Sequence, residues 1–367
     1  MNIPYLDLTI QYKAIEPQLN DIVQKVLKGG QYILGPEVAE CEKKLAEFVG
    51  TPYCATAASG TDALLMALLA HGIKAGDEVI VPSFSFFATA EVIALIGAVP
   101  VFVDIEEDTY NMDTVKLKEA ITGKTKAIMP VSLYGQVADM EEINALASQH
   151  GLAVIEDAAQ SFGAEYKGQK SCNLSAYGCT SFFPAKPLGC FGDGGAVFCQ
   201  TEEEYKRILE IRNHGQESRY YHTRIGYNGR LDTLQCAILL VKLERYPWEM
   251  EQRKKVAKIY DDEFKDIHSL VTPVVKDDRD SVYAQYTIRV KNRDQFQKKL
   301  MEVGVPTSIH YPKGMHQQPA LKQYAPKQTL KVTETVCEEV ISLHLYADMP
   351  ENHIAYVVEK VKEVSKS

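Results

Sequence analysis

Between residues 78 and 157 the chain repeats one pattern. Short apolar runs at Glu78–Pro82, Pro100–Asp104, Lys126–Ser132 and Leu152–Glu156 are separated by segments with helical patterning. Those segments are Ala88–Ile96, Thr114–Ile121 and Met140–His150, preceded by Thr61–His71. The apolar runs lack the in–out alternation of a half-exposed strand, so they are expected to be buried on both faces. Strand–helix alternation of this kind predicts an α/β layer around a mainly parallel sheet. After about residue 230 the pattern changes. Leu231 to Asp266 reads as one long helical stretch, with Pro247 expected to kink or break it. A strand at Tyr283–Val290, a helix at Arg293–Val303 and a terminal helix at Asn352–Val364 follow. The expected division is a large α/β domain over 1–269, including the N-terminal segment and the long connecting helix, and a smaller α+β domain over 270–367.

With 367 residues the chain can bury a large core and needs neither disulfides nor metal to fold. It carries 40 Lys and Arg against 49 Asp and Glu, a net charge of −9. That balance argues against nucleic acid or an anionic membrane as partner, since both need a basic footprint. An anionic small substrate needs only a local positive site and stays open. The eight cysteines form no CxxC pair and lack histidines at zinc-site spacing, so reduced thiols, no metal and a cytoplasmic location are expected. Met1 to Lys13 has no basic segment followed by an apolar one, so no signal peptide is expected, and no apolar stretch is long enough to cross a bilayer.

Four constellations carry possible chemistry. Ser59-Gly60-Thr61-Asp62 stands directly before the apolar helix Ala63–Ala70. A helix N-terminus presents unpaired N–H groups and a positive dipole end, which makes a phosphate seat; an ordinary helix cap accounts for the same residues. Glu156-Asp157 ends an apolar strand, where a partly desolvated carboxylate needs a cationic partner such as a protonated ring nitrogen; Asp157 or Ser161 could equally cap a helix. Lys186 lies in an apolar, glycine-rich stretch with Pro184 and Pro187 nearby. Pro187 disfavours the α region at Lys186, so the lysine is expected in an extended loop. Desolvation there would lower its pKa and make it an amine nucleophile toward aldehydes; the alternative is a surface lysine in a turn. Gly226 to Asp232 offers Asn228 and Arg230 just before a helix, and Arg suits carboxylates and phosphates; a cap at Asp232 explains part of that pattern. A phosphate seat, a carboxylate for a ring nitrogen and an amine for an aldehyde together match the three functional groups of pyridoxal 5′-phosphate.

Several ordered motifs extend this match along essentially the whole chain. They are Ser59 to Ala63, Glu156 to Ser161, Ser181 to Gly189, Asn228 to Asp232 and Ile309 to Pro312, with Pro4 to Leu8 and Gly35 to Glu37 upstream. In these the chain resembles the DegT/DnrJ/EryC1/StrS family of nucleotide-sugar aminotransferases, in the fold-type I class of pyridoxal-phosphate enzymes. The resemblance implies a mainly parallel, seven-stranded-type sheet in the large domain. It implies that Lys186 forms the Schiff base with the cofactor and shuttles the proton. Asp157 would pair with the pyridine nitrogen, and Gln160 would lie near the ring's O3′ edge. Gly60, Thr61 and Ser181 would bind the phosphate. Phe86 would stack on the ring, where family members often carry Tyr or Trp. Asn228 would reach the phosphate of a neighbouring subunit, which implies a homodimer with shared active sites. Arg230, His310 and Tyr311 would contact the sugar.

Related dehydratases have His in place of the lysine; Lys186 therefore favours transamination. The stretch Phe183 to Gly195 is most similar to members acting at C3 of a keto sugar, which implies a UDP-linked 3-keto sugar as substrate and an amino donor such as L-glutamate. The alternative is a C3 or C4 aminotransferase of a dTDP- or UDP-linked keto-6-deoxy sugar. A nicotinamide dehydrogenase is disfavoured, because Gly189, Gly192, Gly194 and Gly195 do not form a GxGxxG pattern.

Overall fold

The computed structural model describes residues 3–366. Its large sheet is built from β1 (Tyr53–Ala57), β2 (Glu78–Pro82), β3 (Val99–Val103), β4 (Thr125–Ile128), β5 (Ala153–Asp157), β6 (Tyr177–Ser181) and β7 (Gly195–Cys199). The strand order is β1-β7-β6-β5-β4-β2-β3. Neighbours from β6 to β3 pair in parallel, and β7 is antiparallel to both β1 and β6. Among the described residues β7 is thus the one strand of this sheet that runs against the rest.

Around the sheet lie α1 (Leu8–Gly29), α2 (Pro36–Val49), α3 (Gly60–His71), α4 (Ala88–Leu95), α5 (Thr114–Ala120), α6 (Met140–His150), α7 (Glu202–Arg212) and α8 (Thr233–Phe264). The helix α3 is apolar on nearly every side, as a helix inside a large core must be. Its Ala63, Leu64, Met66, Ala67, Leu68 and Ala70 are all buried. Ser59 starts it by accepting the Asp62 N–H at 3.0 Å, and Gly72 ends it in the left-handed region at φ 88°. Truncating the fully buried Leu68 to Ala would cost about 2–5 kcal/mol.

Two of the expected strands are shorter than their apolar runs. β4 ends at Ile128 rather than Ser132, because Pro130 has no N–H to continue a ladder. The chain beyond stays beside β5 through Asp157 N–H to Pro130 C=O (2.9 Å) and Ser132 N–H to Asp157 C=O (3.0 Å). The strand expected from Tyr283 begins at Tyr286, since Tyr283 has φ 46° and turns the chain. Pro247 does not end the long helix. α8 runs through it as one 32-residue element, held on the near side by the buried Tyr246 hydroxyl, which donates to Phe162 C=O.

β8 (Leu270–Val271), β9 (Tyr286–Val290) and β10 (Val340–Leu343) form an antiparallel sheet in that order. With α9 (Arg293–Glu302) and α10 (Glu351–Val364) it encloses a second apolar core around Ile288, Leu300, Ile341, Val357 and Val361. The helix α8 serves both cores. Cys236, Leu239 and Tyr246 pack with Val38, Phe162 and Phe198, whereas Val256, Tyr260 and Phe264 belong to the second core. No helix among the described residues is long and apolar enough to cross a membrane.

Candidate active site

In open α/β sheets, ligands gather beyond the carboxyl ends of the parallel strands. Here the end of β5, the end of β6, the loop after β2 and the first turn of α3 converge on one cavity of ≈ 520 Å³. Its lining includes Gly60, Thr61, Phe86, Asp157, Gln160, Ser181, Lys186, His310 and Tyr311. These residues span the chain from α3 to the segment between α9 and β10, and the strand order is what brings them together.

Asp157 closes β5 and is 5% exposed. Thr89, on the first turn of α4, donates its hydroxyl to Asp157 Oδ2 at 2.7 Å, and the Ala159 N–H donates to Oδ1 at 3.2 Å. Burial pushes the carboxyl's pKa up, and these two bonds and the charge of Lys186 pull against it. Lys186 is the mirror case. Desolvation lowers the pKa of its amine, opposed by the Asp157 carboxylate. Each is the other's counter-charge in a dry site, so a cation placed against Asp157 would free Lys186 to lose its proton.

The Lys186 backbone differs from the expected extended loop. Its N–H donates to Phe183 C=O at 2.8 Å, closing a turn between the two prolines. That turn supports an i-to-i+3 bond with Pro184 at its second position, the place where proline's fixed φ is favourable.

The phosphate-sized end of the cavity lies where α3 meets β6. A Cβ on Gly60 would come within 2.6 Å of Ser181 Cβ, so glycine is what lets the helix start touch the strand end. As first residues of the helix, Gly60 and Thr61 have no intrahelical acceptor for their N–H groups. With the helix dipole, these donors can hold an anion.

On the opposite wall, Gln160 is fixed from both ends of its amide. Oε1 accepts the Tyr134 N–H at 2.9 Å, and Nε2 donates to Tyr311 Oη at 3.2 Å. Burial raises the Tyr311 pKa, so the phenol keeps its proton. Burial and the nearby Lys186 charge push His310 down to about 4, which leaves the imidazole neutral at pH 7. Its Nδ1 faces Ser342 Oγ at 3.0 Å, and its carbonyl accepts from the Tyr134 hydroxyl.

Asn228 and Arg230 do not line this cavity. Asn228 is exposed, and Arg230 Nη1 donates to Asn213 Oδ1 at 2.5 Å. Their segment is anchored elsewhere, by Gly229 N–H to Arg212 C=O and Ala58 N–H to Gly229 C=O. Glu156, next to Asp157, projects to the other face of β5, as consecutive strand residues must. It accepts from Ser132 Oγ (2.7 Å), Ser171 Oγ (2.8 Å) and Cys172 N–H (2.8 Å).

Thr89, Ser85 and Gln285 were not singled out by the sequence motifs. Ser85 and Gln285 line the cavity, and the Ser85 and Thr89 hydroxyls lie 2.9 Å apart. The hydroxyl-rich run from Ser83 to Thr89 was the available signal for the first two. Nothing local marks Gln285.

An amine and a carboxylate sharing a buried cavity with an anion seat, at the strand ends of this sheet, define a pyridoxal-phosphate-dependent aminotransferase. A model of the DegT/DnrJ/EryC1/StrS aminotransferase family matches residues 13–362, and the chain belongs to that family. It is 53% identical, over 94% of its length and 96% of the relative's, to the UDP-2-acetamido-2-deoxy-3-oxo-D-glucuronate aminotransferase of Pseudomonas aeruginosa. Among solved structures, S. venezuelae DesV in complex with a ketimine intermediate superposes with a TM-score of 0.98 at 36% identity, covering 100% of this chain and 99% of that one. NtdA from Bacillus subtilis, with bound cofactor PMP, superposes with a TM-score of 0.93 at 30% identity, covering 100% and 86%. Pyridoxal 5′-phosphate is the cofactor of this enzyme, and the residues present fit its three functional groups.

Proposed function

We propose that the enzyme transfers an amino group from L-glutamate to the C3 keto carbon of UDP-2-acetamido-2-deoxy-3-oxo-D-glucuronate, in surface-polysaccharide biosynthesis. The observation that carries this reading is the 53% identity to the Pseudomonas aeruginosa enzyme across 94% of the chain.

Bound pyridoxal phosphate supplies an electron sink and a carbonyl that carries nitrogen between the two substrates. The chain supplies the rest. Gly60, Thr61 and Ser181 hold the phosphate at the start of α3. Asp157 Oδ1 and Oδ2, already oriented by Ala159 and Thr89, hold the ring nitrogen in its protonated form. Phe86, 55% exposed at the cavity wall, offers an apolar face for a flat ring. Gln160 Nε2 marks the edge of the ring next to Tyr311. Lys186 Nζ anchors the cofactor. It removes the proton from the donor's Cα in the first half-reaction and delivers one to sugar C3 in the second. Its lowered pKa suits that alternation. His310 and Tyr311 contact the sugar from the second domain.

We further propose a homodimer in which Asn228 and Arg230 reach the cavity of the second copy. Their placement outside their own chain's cavity supports this reading, and Arg230 there would suit a C6 carboxylate. Division into domains at 1–269 and 270–367 and residence in the cytoplasm complete the proposal, the latter supported by eight buried, unpaired cysteines.

The test is product analysis. Purified enzyme is incubated with L-glutamate and, separately, 3-keto and 4-keto sugar nucleotides. NMR should place the new nitrogen on C3 of the UDP-linked uronic acid, with one 2-oxoglutarate released per sugar aminated. Nitrogen on C4, or reaction restricted to 6-deoxy sugars, would replace this reading with the alternative named above.

A further inference from the structure

His316 has no part in the reaction scheme above and does not line the cavity, yet it ties together two segments that form the cavity wall. Its Nδ1 lies 2.6 Å from the Ser83 hydroxyl, and its Nε2 lies 3.3 Å from Glu334 Oε1, on the helix Lys331–Glu339. A carboxylate only accepts hydrogen bonds, so Nε2 donates to Glu334 and, in the neutral ring, Nδ1 accepts from the Ser83 hydroxyl. The backbone closes the same junction. Met315 N–H donates to Ser83 C=O at 2.7 Å, and His316 N–H donates to Ser83 Oγ at 3.4 Å. Ser83 is itself held beside β3, its N–H donating to Val103 C=O at 2.9 Å. Ser, His and Glu in a row resemble a nucleophilic triad, but Ser83 is fully buried and no substrate reaches its hydroxyl. The three side chains act as a tie.

The tie stands next to groups that face the substrate. Ser83 directly precedes Phe84, Ser85 and Phe86, and only Pro312 to Met315 separate His316 from Tyr311. The two segments meet again at the site, where the Phe84 and Phe86 rings lie 6.1 and 6.3 Å from the Tyr311 ring. A Cβ on Gly314 would come within 2.8 Å of both His316 Nδ1 and Thr333 Cγ2, so the imidazole fills its slot. Asp104, just beyond β3, accepts the Val332 N–H at 3.0 Å and the Thr333 N–H at 2.8 Å, which fixes the helix carrying Glu334. Both ends of the tie are thus rooted in the parallel sheet. We infer that His316 is a positioning residue: bridged between Ser83 and Glu334, it sets Tyr311 at its place in the cavity, against Gln160 and the substrate. The choice of sugar as that substrate rests on the contact proposed above for Tyr311.

The experiment follows the two half-reactions separately on the holoenzyme by stopped-flow absorbance, with whichever keto sugar nucleotide the wild type accepts. His316→Leu removes both side-chain bonds at similar volume. The kcat/KM of the sugar half-reaction should fall about 5- to 50-fold, while that of the amino-acid half-reaction stays within about threefold. Tyr311→Phe, measured alongside, should show the same split between the half-reactions. Ser83→Ala removes the same bond from its other side, so combining it with His316→Leu should cost no more than about threefold beyond His316→Leu alone. Losses that multiply in the double variant, no loss in His316→Leu, or a split unlike that of Tyr311→Phe overturns the inference. If His316→Leu does not bind the cofactor, Ser83→Ala alone is held to the same comparison with Tyr311→Phe. If the Tyr311 and His316 variants share a split that impairs the amino-acid half-reaction as much or more, the sugar-contact reading fails and the positioning role stands.

Discussion

The Thr89 hydroxyl, on α4, donates to Asp157 Oδ2 at 2.7 Å across 68 residues of sequence. With the Ala159 N–H on Oδ1, both carboxylate oxygens are oriented by the protein itself, so a ring nitrogen held there, as proposed, would meet a group that cannot rotate away. Thr89→Val should remove one charge-assisted bond. A loss of about 1.5–3 kcal/mol in that interaction corresponds to roughly 10- to 100-fold in kcat. Thr89→Ser should restore most of it. Steady-state kinetics on the two variants, with the pH profile of the bound cofactor's absorbance, separate this from a general packing defect.

Lys186→Ala removes the amine while leaving the turn at Phe183–Lys186 and the core beneath it. Turnover should fall at least about a thousandfold, with the melting temperature of the apoenzyme nearly unchanged. Sustained multiple turnover in this variant would rule out the assignment of Lys186.

Gly60→Ala places a methyl 2.6 Å from Ser181 Cβ and 3.2 Å from its Cα. Both partners belong to packed elements, so the helix start must move off the strand end. Affinity for pyridoxal phosphate, measured by titrating apoenzyme, should weaken at least about tenfold, the cost of an anion seat held open.

Acid should destabilise the fold through its buried histidines. Burial, with His353 nearby, pushes the His344 pKa down to about 4, well below that of a free imidazole. The unfolded chain therefore binds a proton that the folded chain refuses. This contribution to stability is full above about pH 6.5 and is lost as pH falls toward 4. His310 shifts in the same direction. Between pH 7 and 5 the loss from His344 is roughly 2 kcal/mol, and His344→Gln should remove that part of the slope in urea unfolding of the apoenzyme. An unchanged slope would show that the imidazole is not held neutral.

The parts of the architecture that could be read directly were those with a local code. Met140–His150 is helical over the residues its pattern marks, because its apolar spacing and the closing Gly151 are both in the segment. β7 escaped the strand pattern. Its Gly195 must be a glycine for a reason far away, since a Cβ there would meet Ser59 C=O at 2.5 Å. The edge of β4 was misplaced because hydrophobicity continues through Pro130 while hydrogen bonding cannot.

At the site, the spacing of Ser59, Gly60 and Thr61 before an apolar helix, the acid at the end of an apolar strand and the lysine between prolines each had a short-range physical meaning. Chain chemistry alone thus determined which groups were available to hold phosphate, ring nitrogen and aldehyde. Which of them meet was decided by tertiary structure. Six strands must order themselves with β7 inserted in reverse before Thr89 reaches Asp157 and Gln160 spans Tyr134 and Tyr311. The same packing carries Asn228 and Arg230 away from the cavity. Such contacts depend on which buried faces pack together over long loops of chain, and no window of residues encodes that choice.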